Sequence, residues 1–453
     1  MKTQKNHKYL PIAALVAFAA AAPAAELSVQ EQIDVLKARI QELDSKVRPL
    51  QRAETTAGDK GFILASPDAA HSLRVRSLVQ LDSRWFGDAK VENDAFVLRR
   101  ARIGLEGKLN KTTDYQITGE YAGSSATILD ANFTLTYAPE LQFKIGRFKV
   151  PLGLEQLQSD ASALFVERSL VSQVAPNRDI GVQVGGDLDK GTISYAIGIF
   201  NGIQDGGNNA DQKDANDGKD VVARVTFQPW INDESSSLAG LSFGVAGSYG
   251  LQDTYSAVGT SFKSDGQQTF FAFRTAPAWT TASISNTVYA TGKVNRISPQ
   301  FSYYNGGLSL LGEYIKSSTD VSYGASSARL KNTAWQLAAG YVLTGEKASY
   351  KGVSPSNDFD RASGSLGAFE VVGRVAELDI DNNAFTTYAD RDKSATKATS
   401  YAVGLNWYLS KVTRLSLDYT HTKFDLAPSA APAATSPIHH SEDAILTRLQ
   451  LNF

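Results

Sequence analysis

The stretch Ser72-Leu73-Arg74-Val75-Arg76-Ser77-Leu78-Val79-Gln80-Leu81-Asp82-Ser83-Arg84-Trp85-Phe86 decides the fold. Leu73, Val75, Val79, Leu81 and Trp85 fall on one side of an extended chain, and Arg74, Arg76, Gln80, Asp82 and Arg84 fall on the other. Such alternation is a strand with one dry and one wet face. It recurs in 95–109, where Ala101, Ile103, Leu105 and Leu109 oppose Arg100, Arg102, Glu106 and Lys108. It continues through 115–145 and returns in 401–409, 415–419 and 445–453, where the chain stops on Phe453. A half-buried sheet in a soluble protein also alternates, so the connections have to discriminate. About sixteen strands can be counted, a number that leaves room for a lumen. The links at 110–112, 138–140, 189–190, 305–307 and 410–412 are short, and those at 151–178, 201–219, 253–292 and 427–443 are long. The link at 344–365 is a long exception in the short set. Short turns at one rim, long loops at the other, an even strand number and aromatic residues at strand ends describe a transmembrane antiparallel β-barrel. The expected fold is therefore all-β, a barrel of about sixteen strands spanning 61–453.

Composition narrows the function classes. The 453 residues include no cysteine, one methionine, 36 glycines, 18 tyrosines and 21 phenylalanines. Disulfide scaffolds, thiolate metal centres and cysteine nucleophiles are excluded. The formal charge is −2, and a leader carrying Lys2, Lys5 and Lys8 without an acid would leave about −5 on its removal, which disfavours a nucleic-acid partner. Residues 1–25 have the basic start, the apolar run from Leu10 and the Ala-Pro-Ala-Ala end of a secretory signal peptide. Beyond Ala25 no run of about 18 apolar residues recurs, so a membrane location requires the barrel. These features place the protein in the outer membrane of a Gram-negative-type cell, with outer-membrane lipid around it.

Residues 26–50 carry a different period. Val29, Ile33, Leu36, Ile40, Leu43 and Val47 alternate four and three apart, Ser28 and Glu31 have capping-box spacing, and Pro49 stops the run. A short periplasmic coiled-coil helix is expected, joined by a linker at 51–60; an amphipathic helix packed on its own domain is the alternative. About three heptads are marginal alone, so a coiled coil here implies an oligomer.

A barrel of this size encloses water. Alternation turns Arg74, Arg76, Arg84, Arg100, Arg102, Lys108, Lys144, Arg224, Arg296, Arg374 and Arg448 inward, against Asp82, Glu106, Glu120, Asp130, Glu313, Glu370 and Asp418. On an acidic chain that surplus makes the lumen mildly anion-attracting; wall charges paired across strands are the plainer reading. The loop at 151–178 is too long for a hairpin connection and carries Leu152, Leu154, Leu157, Leu164, Phe165 and Val166. Folding inward gives those residues something to pack on and narrows the pore. Its polar residues Glu155, Gln156, Asp160, Glu167 and Arg168 would form the constriction. The loop at 201–219, rich in Asp, Asn and Gly, is expected as a hydrated external tip without calcium-loop spacing. His71, His421, His439 and His440 show no readable pairing with a serine, so no catalytic residue, cofactor or metal is expected.

Taken together, 96–101 (Phe-Val-Leu-Arg-Arg-Ala), Gly146-Arg147-Phe148, Gly153-Leu154-Glu155, Glu167-Arg168, 341–346 (Tyr-Val-Leu-Thr-Gly-Glu) and 404–408 (Gly-Leu-Asn-Trp-Tyr) resemble the phosphate-selective porin O and P family. The resemblance runs from about Gly61 to Phe453 and implies a sixteen-stranded homotrimer with an inward loop and an N-terminal periplasmic segment. It also implies an arginine pair, Arg99-Arg100, near the pore entrance; alternation turns only Arg100 to the lumen. Phosphate-selective members carry a lysine directly after Gly-Leu-Glu and another five residues on, where this chain has Gln156 and Ala161. The expected function is a water-filled diffusion channel for small hydrophilic solutes with mild anion preference. A phosphate- or polyphosphate-specific porin is the alternative, and a barrel-anchored surface or wall-tethering protein is a second.

Overall fold

The computed structural model describes residues 28–47, 54–87, 93–208, 217–257, 261–275, 286–426 and 439–453. Residues 1–25, expected as a secretory signal, lie outside the described residues. Among the described residues the N-terminal unit is one helix, Val29–Val47. Its start is a reciprocal cap: the Glu31 N–H donates to Ser28 Oγ at 3.3 Å, and the Ser28 N–H donates to the Glu31 carboxylate at 2.8 Å. Val29, Ile33, Leu36, Ile40 and Leu43 are all exposed on this single chain.

The second unit is a closed antiparallel barrel. Its strands are β1 (Ser72–Phe86), β2 (Ala95–Asn110), β3 (Thr113–Glu120), β4 (Thr127–Ala138), β5 (Leu141–Lys149), β6 (Arg178–Leu188), β7 (Ile193–Phe200), β8 (Asp220–Phe227), β9 (Leu241–Ala257), β10 (Tyr289–Asn305), β11 (Leu308–Tyr323), β12 (Ser326–Val342), β13 (Ala368–Asp379), β14 (Ala395–Tyr408), β15 (Thr413–Leu426) and β16 (Ser441–Asn452). Each pairs with its chain neighbours, and β16 returns to β1 with Ala444 opposite Phe86 and Asn452 opposite Leu78. A hairpin of Glu54–Gly58 and Gly61–Ala65 continues the sheet below that seam, where Phe62 meets Val75. Residues 54–60, expected as linker, thus belong to the sheet. The terminal Phe453 exchanges backbone hydrogen bonds with Ser77, and its ring lies edge-on to Phe62 at 6.0 Å.

Burial inverts the pattern of a soluble protein. Leu81, Ile103, Ile117, Phe133, Ile197, Val245, Leu337, Val403 and Leu449 are exposed on the outer wall, while Gln80, Asp82, Arg296, Ser298, Gln336, Ser400 and Arg448 are buried inside. An apolar exterior around a polar interior suits strands that cross lipid. No described helix is long and apolar enough to span a membrane.

The rims depart from strict alternation in three places, one of them the thirteen-residue connection 228–240 between β8 and β9 at the short-turn rim. β11 and β12 join through Gly324 and Ala325 alone at the long-loop rim, with Gly324 at φ +57° supplying the left-handed step. The connection 343–367 is long at the short-turn rim, as the sequence indicated.

Candidate functional site

Between β5 and β6 the chain leaves the wall and crosses the lumen. It makes one helical turn, Leu154–Leu157, and a 3-10 turn, Leu170–Val174. Leu154 and Phe165 pack on Leu311, Ala338, Val372 and Ala402, inward residues of β11 to β14. Leu152, Leu170, Val171 and Val174 join Ile315, Leu330, Ala334, Leu378 and Ala398 on the same wall. These inward positions are apolar and often alanine, which leaves a dry strip with room for a loop.

A buried backbone must find partners, and the wall supplies them. The N–H groups of Leu154 and Glu155 donate to the Glu313 carboxylate at 2.6 and 3.1 Å, and that of Val166 donates to Asp418 at 2.6 Å. Asn406 donates to the Leu164 carbonyl at 2.8 Å, Arg414 to that of Ala163 at 2.9 Å and Gln450 to that of Ala161 at 3.0 Å. From the short-turn rim, Tyr350 donates its hydroxyl to the Leu154 carbonyl at 2.5 Å, and Ser162 donates to that of Lys351 at 2.8 Å.

A second inward element covers the first. The hairpin Ser261–Lys263 with Thr269–Ala272, between β9 and β10, buries Phe262, Phe270 and Phe271 against the same cluster, joined by Phe385 and Tyr388 from the β13–β14 connection. Asp265 in its turn bonds Arg374 at 2.8 Å and Ser400 at 2.5 Å. The segment 201–208 corrects another expectation: it is not a hydrated tip. Its Gly206 N–H bonds the Ala175 carbonyl at 2.9 Å, and Asp205 pairs with the buried Arg296 at 2.7 Å. Residues 209–216 of that loop lie outside the described residues.

The acids of the inward loop meet the arginines of the wall. Asp160 sits among Arg100 at 3.1 Å, Arg102 and Arg168. Glu167 takes Arg99 at 2.5 Å, Arg84 at 3.2 Å and Arg448 at 3.4 Å, and Glu155 takes Arg374 at 3.4 Å. Burial alone would raise the Asp160 carboxyl, yet Arg100, Arg168 and Arg102 hold it well below the usual carboxylate range. At Glu167 burial acts in the same upward direction and is outweighed by Arg99 and Arg448.

Arg99 overturns the reading that only Arg100 of the pair faces the lumen. Gln80 opposes Arg100 and Leu81 opposes Leu98, so Arg99 is the extra residue of a β-bulge. The bulge interrupts the alternation and lets both guanidiniums reach inward.

The loops occupy the β10–β16 side and leave a passage along β1 to β8. A cavity of about 450 Å³ there is lined by the cations Arg76, Arg102, Lys144, Lys149, Arg178 and Arg224, with Asp130 and Asp160 as its acids. Arg178 pairs with Asp130 at 2.9 Å, and Arg102 with Glu120 at 2.6 Å. Arg76 and Arg74 share Glu106, each at 2.9 Å, and Lys108 pairs with Asp114 at 3.1 Å toward the short-turn rim. Three cations differ. Lys144 lies 4.8 Å from the Phe148 ring centre, Lys149 donates to the Gln158 carbonyl at 2.7 Å, and Arg224 donates to Gln300 at 2.9 Å. None of the three has a carboxylate within ion-pair distance among the described residues. Lys149 and Arg178, the residues flanking the loop, were missed by sequence reasoning. Ala161 lines the passage, whereas Gln156 is buried within the loop. His421 bonds Asp443 at 2.9 Å on the outer wall, away from the lumen.

A closed barrel with an apolar exterior and a wet, narrowed interior defines a porin-type channel of the outer membrane. The chain belongs to the phosphate-selective porin O and P family, whose model matches residues 73–453. It is 24% identical over 402 residues to Porin O of Pseudomonas aeruginosa, covering 81% of this chain and 86% of that one. Among solved structures it is similar in fold to the outer membrane channel DcaP of Acinetobacter baumannii (TM-score 0.53, 10% identity, 88% of this chain and 100% of that one). It is also similar to an anion-selective porin from Comamonas acidovorans (TM-score 0.50, 14% identity, 84% and 100%). The protein is an outer-membrane porin channel.

Proposed function

We propose that this porin passes small hydrophilic solutes with a mild preference for anions, through the passage between the inward loop and β1 to β8. The observation that carries the reading is the trio Lys144, Lys149 and Arg224 on the cavity wall without carboxylate partners among the described residues. Arg84, Arg99, Arg100, Arg374 and Arg448 contribute less, because loop carboxylates neutralise them. Fixed charge at a narrow place bordered by low-dielectric walls concentrates counter-ions. The test is the reversal potential of purified channels across a salt gradient. A cation-selective sign rejects the reading.

The assembly is a homotrimer in this reading. β3, β7 and β8 have 8 residues each, against 17 in β9, β10 and β12. At a rise of about 3.3 Å and a tilt of about 40°, the short strands cover roughly 20 Å, less than an apolar band of about 25 Å. Neighbouring copies packed there would shield that low wall from lipid. The exposed apolar stripe of Val29–Val47 gives the copies a second contact. Deleting residues 27–50 tests that second contact: the oligomer should dissociate at lower temperature in detergent while each barrel stays folded.

A further inference from the structure

The outer wall carries a charge pattern that conduction does not use. On the long strands β10, β11 and β12, the outward residues toward the long-loop rim are Lys293, Lys316, Arg329 and Lys331, all exposed. Register gathers them: Lys316 stands beside Ile297 and Thr333, Ser318 beside Lys331, and Asp320 beside Arg329. Arg329 pairs with Asp320 at 3.3 Å. The ammonium groups of Lys293, Lys316 and Lys331 have no partner among the described residues. Exposed Ile297 stands level with Lys316 and exposed Trp335 lies two residues below it, so an aromatic and aliphatic surface meets the lowest of the cations.

The adjacent sector at the same height is built differently. On β13 to β16, Lys397 is paired with Glu377 at 3.5 Å and Asp379 at 3.2 Å, and Lys423 with Asp425 at 3.6 Å. One sector therefore offers unpaired cations, and its neighbour offers cations already matched by acids.

We infer that the β10–β12 sector is a docking surface for a phosphorylated glycolipid of the outer leaflet, with acyl chains along Ile297 and Trp335 and sugar phosphates on Lys316, Lys331 and Lys293. Charge complementarity selects this occupant: aromatic residues on a barrel wall mark the membrane interface, and basic side chains at that level attract anionic headgroups. Lys293 stands highest, its N–H donating to Asp320, and the other two cations stand at two lower heights, Lys316 beside Thr333 and Lys331 beside Ser318. These two rows lie two residues apart, roughly 7 Å along the strand. Cations so spaced fit phosphates carried on sugars better than the single phosphate layer of a phospholipid.

The test uses the full assembly extracted in detergent, with bound lipid read by native mass spectrometry. It is titrated with a bis-phosphorylated glycolipid, its dephosphorylated form and phosphatidylglycerol. The wild type should hold the phosphorylated glycolipid most tightly. Lys316→Gln with Lys331→Gln should weaken that binding about 30-fold, about fivefold per ammonium removed. Lys397→Gln with Lys423→Gln removes the same charge from the paired sector and should leave binding within about twofold. Slow electrophoretic migration of unheated samples checks that each variant barrel is folded. Equal binding of the dephosphorylated form, equal competition by phosphatidylglycerol, or an equal loss in the control pair overturns the inference.

Discussion

Asp160→Asn is the sharpest test of how loop and wall share charge. The carboxylate stands among Arg100, Arg102 and Arg168 and also borders the open cavity. The amide keeps the shape and removes one negative charge from a lining of six cations and two acids. For an ion passing about 6 Å away through water, one charge is worth about 0.7 kcal/mol, which screening at about 0.1 M salt reduces to about 0.4 kcal/mol. An anion gains that amount and a cation loses it, so the anion-to-cation permeability ratio should rise about fourfold. Breaking a buried ion pair also costs about 3–5 kcal/mol. The loop has other anchors in Glu313, Asp418 and the Glu167 cluster, so it should stay docked. The assay is the reversal potential in planar bilayers under a potassium chloride gradient, with single-channel conductance recorded alongside. An unchanged ratio, or a shift toward cations at unchanged conductance, refutes the argument that Asp160 offsets the cations of the passage.

The depressed carboxyls of Asp160 and Glu167 give a pH prediction: their stabilisation is present above the unfolded carboxylate pKa and is lost only as pH falls through the lower folded value. The permeability shift produced by Asp160→Asn should therefore stay the same from neutral pH to about pH 4, and a shift that vanishes within that range would show that the arginines do not hold Asp160 ionised. Replacing 261–272 by a short flexible link should raise conductance, since that hairpin stands in the lumen; Phe271→Ala alone should cost about 3–5 kcal/mol, read from the unfolding midpoint. Ala161→Lys should strengthen block of chloride current by phosphate, because the new ammonium enters the cavity wall and charge-assisted bonds are about twice as strong as neutral ones. Gln156→Lys should instead lower the yield of folded barrel, because that position is buried.

The wall was legible because its signal is local: alternation over each strand turns Arg74, Arg100 or Arg448 inward whatever the rest of the chain does. Arg99 escaped because one extra residue in a bulge reverses the count, and nothing in its own stretch marks the insertion. The partners escaped for a different reason. Asp160 and Arg102 are 58 residues apart in sequence, and Glu167 and Arg448 are 281 apart, so only closure of the barrel brings them together. One overlooked signal was present. Ala334, Ala338, Ala376, Ala398 and Ala402 occupy inward positions where a wet wall would carry polar groups, and they mark the side on which the loop docks. The charge of the passage follows from that choice of side. A loop resting on β11 to β14 faces its carboxylates toward the arginines of β1, β2, β13 and β16, and it leaves Lys144 and Arg224 on the opposite wall facing water. The sign of selectivity is thus set by where small apolar residues interrupt the polar lining as much as by the number of cations on it.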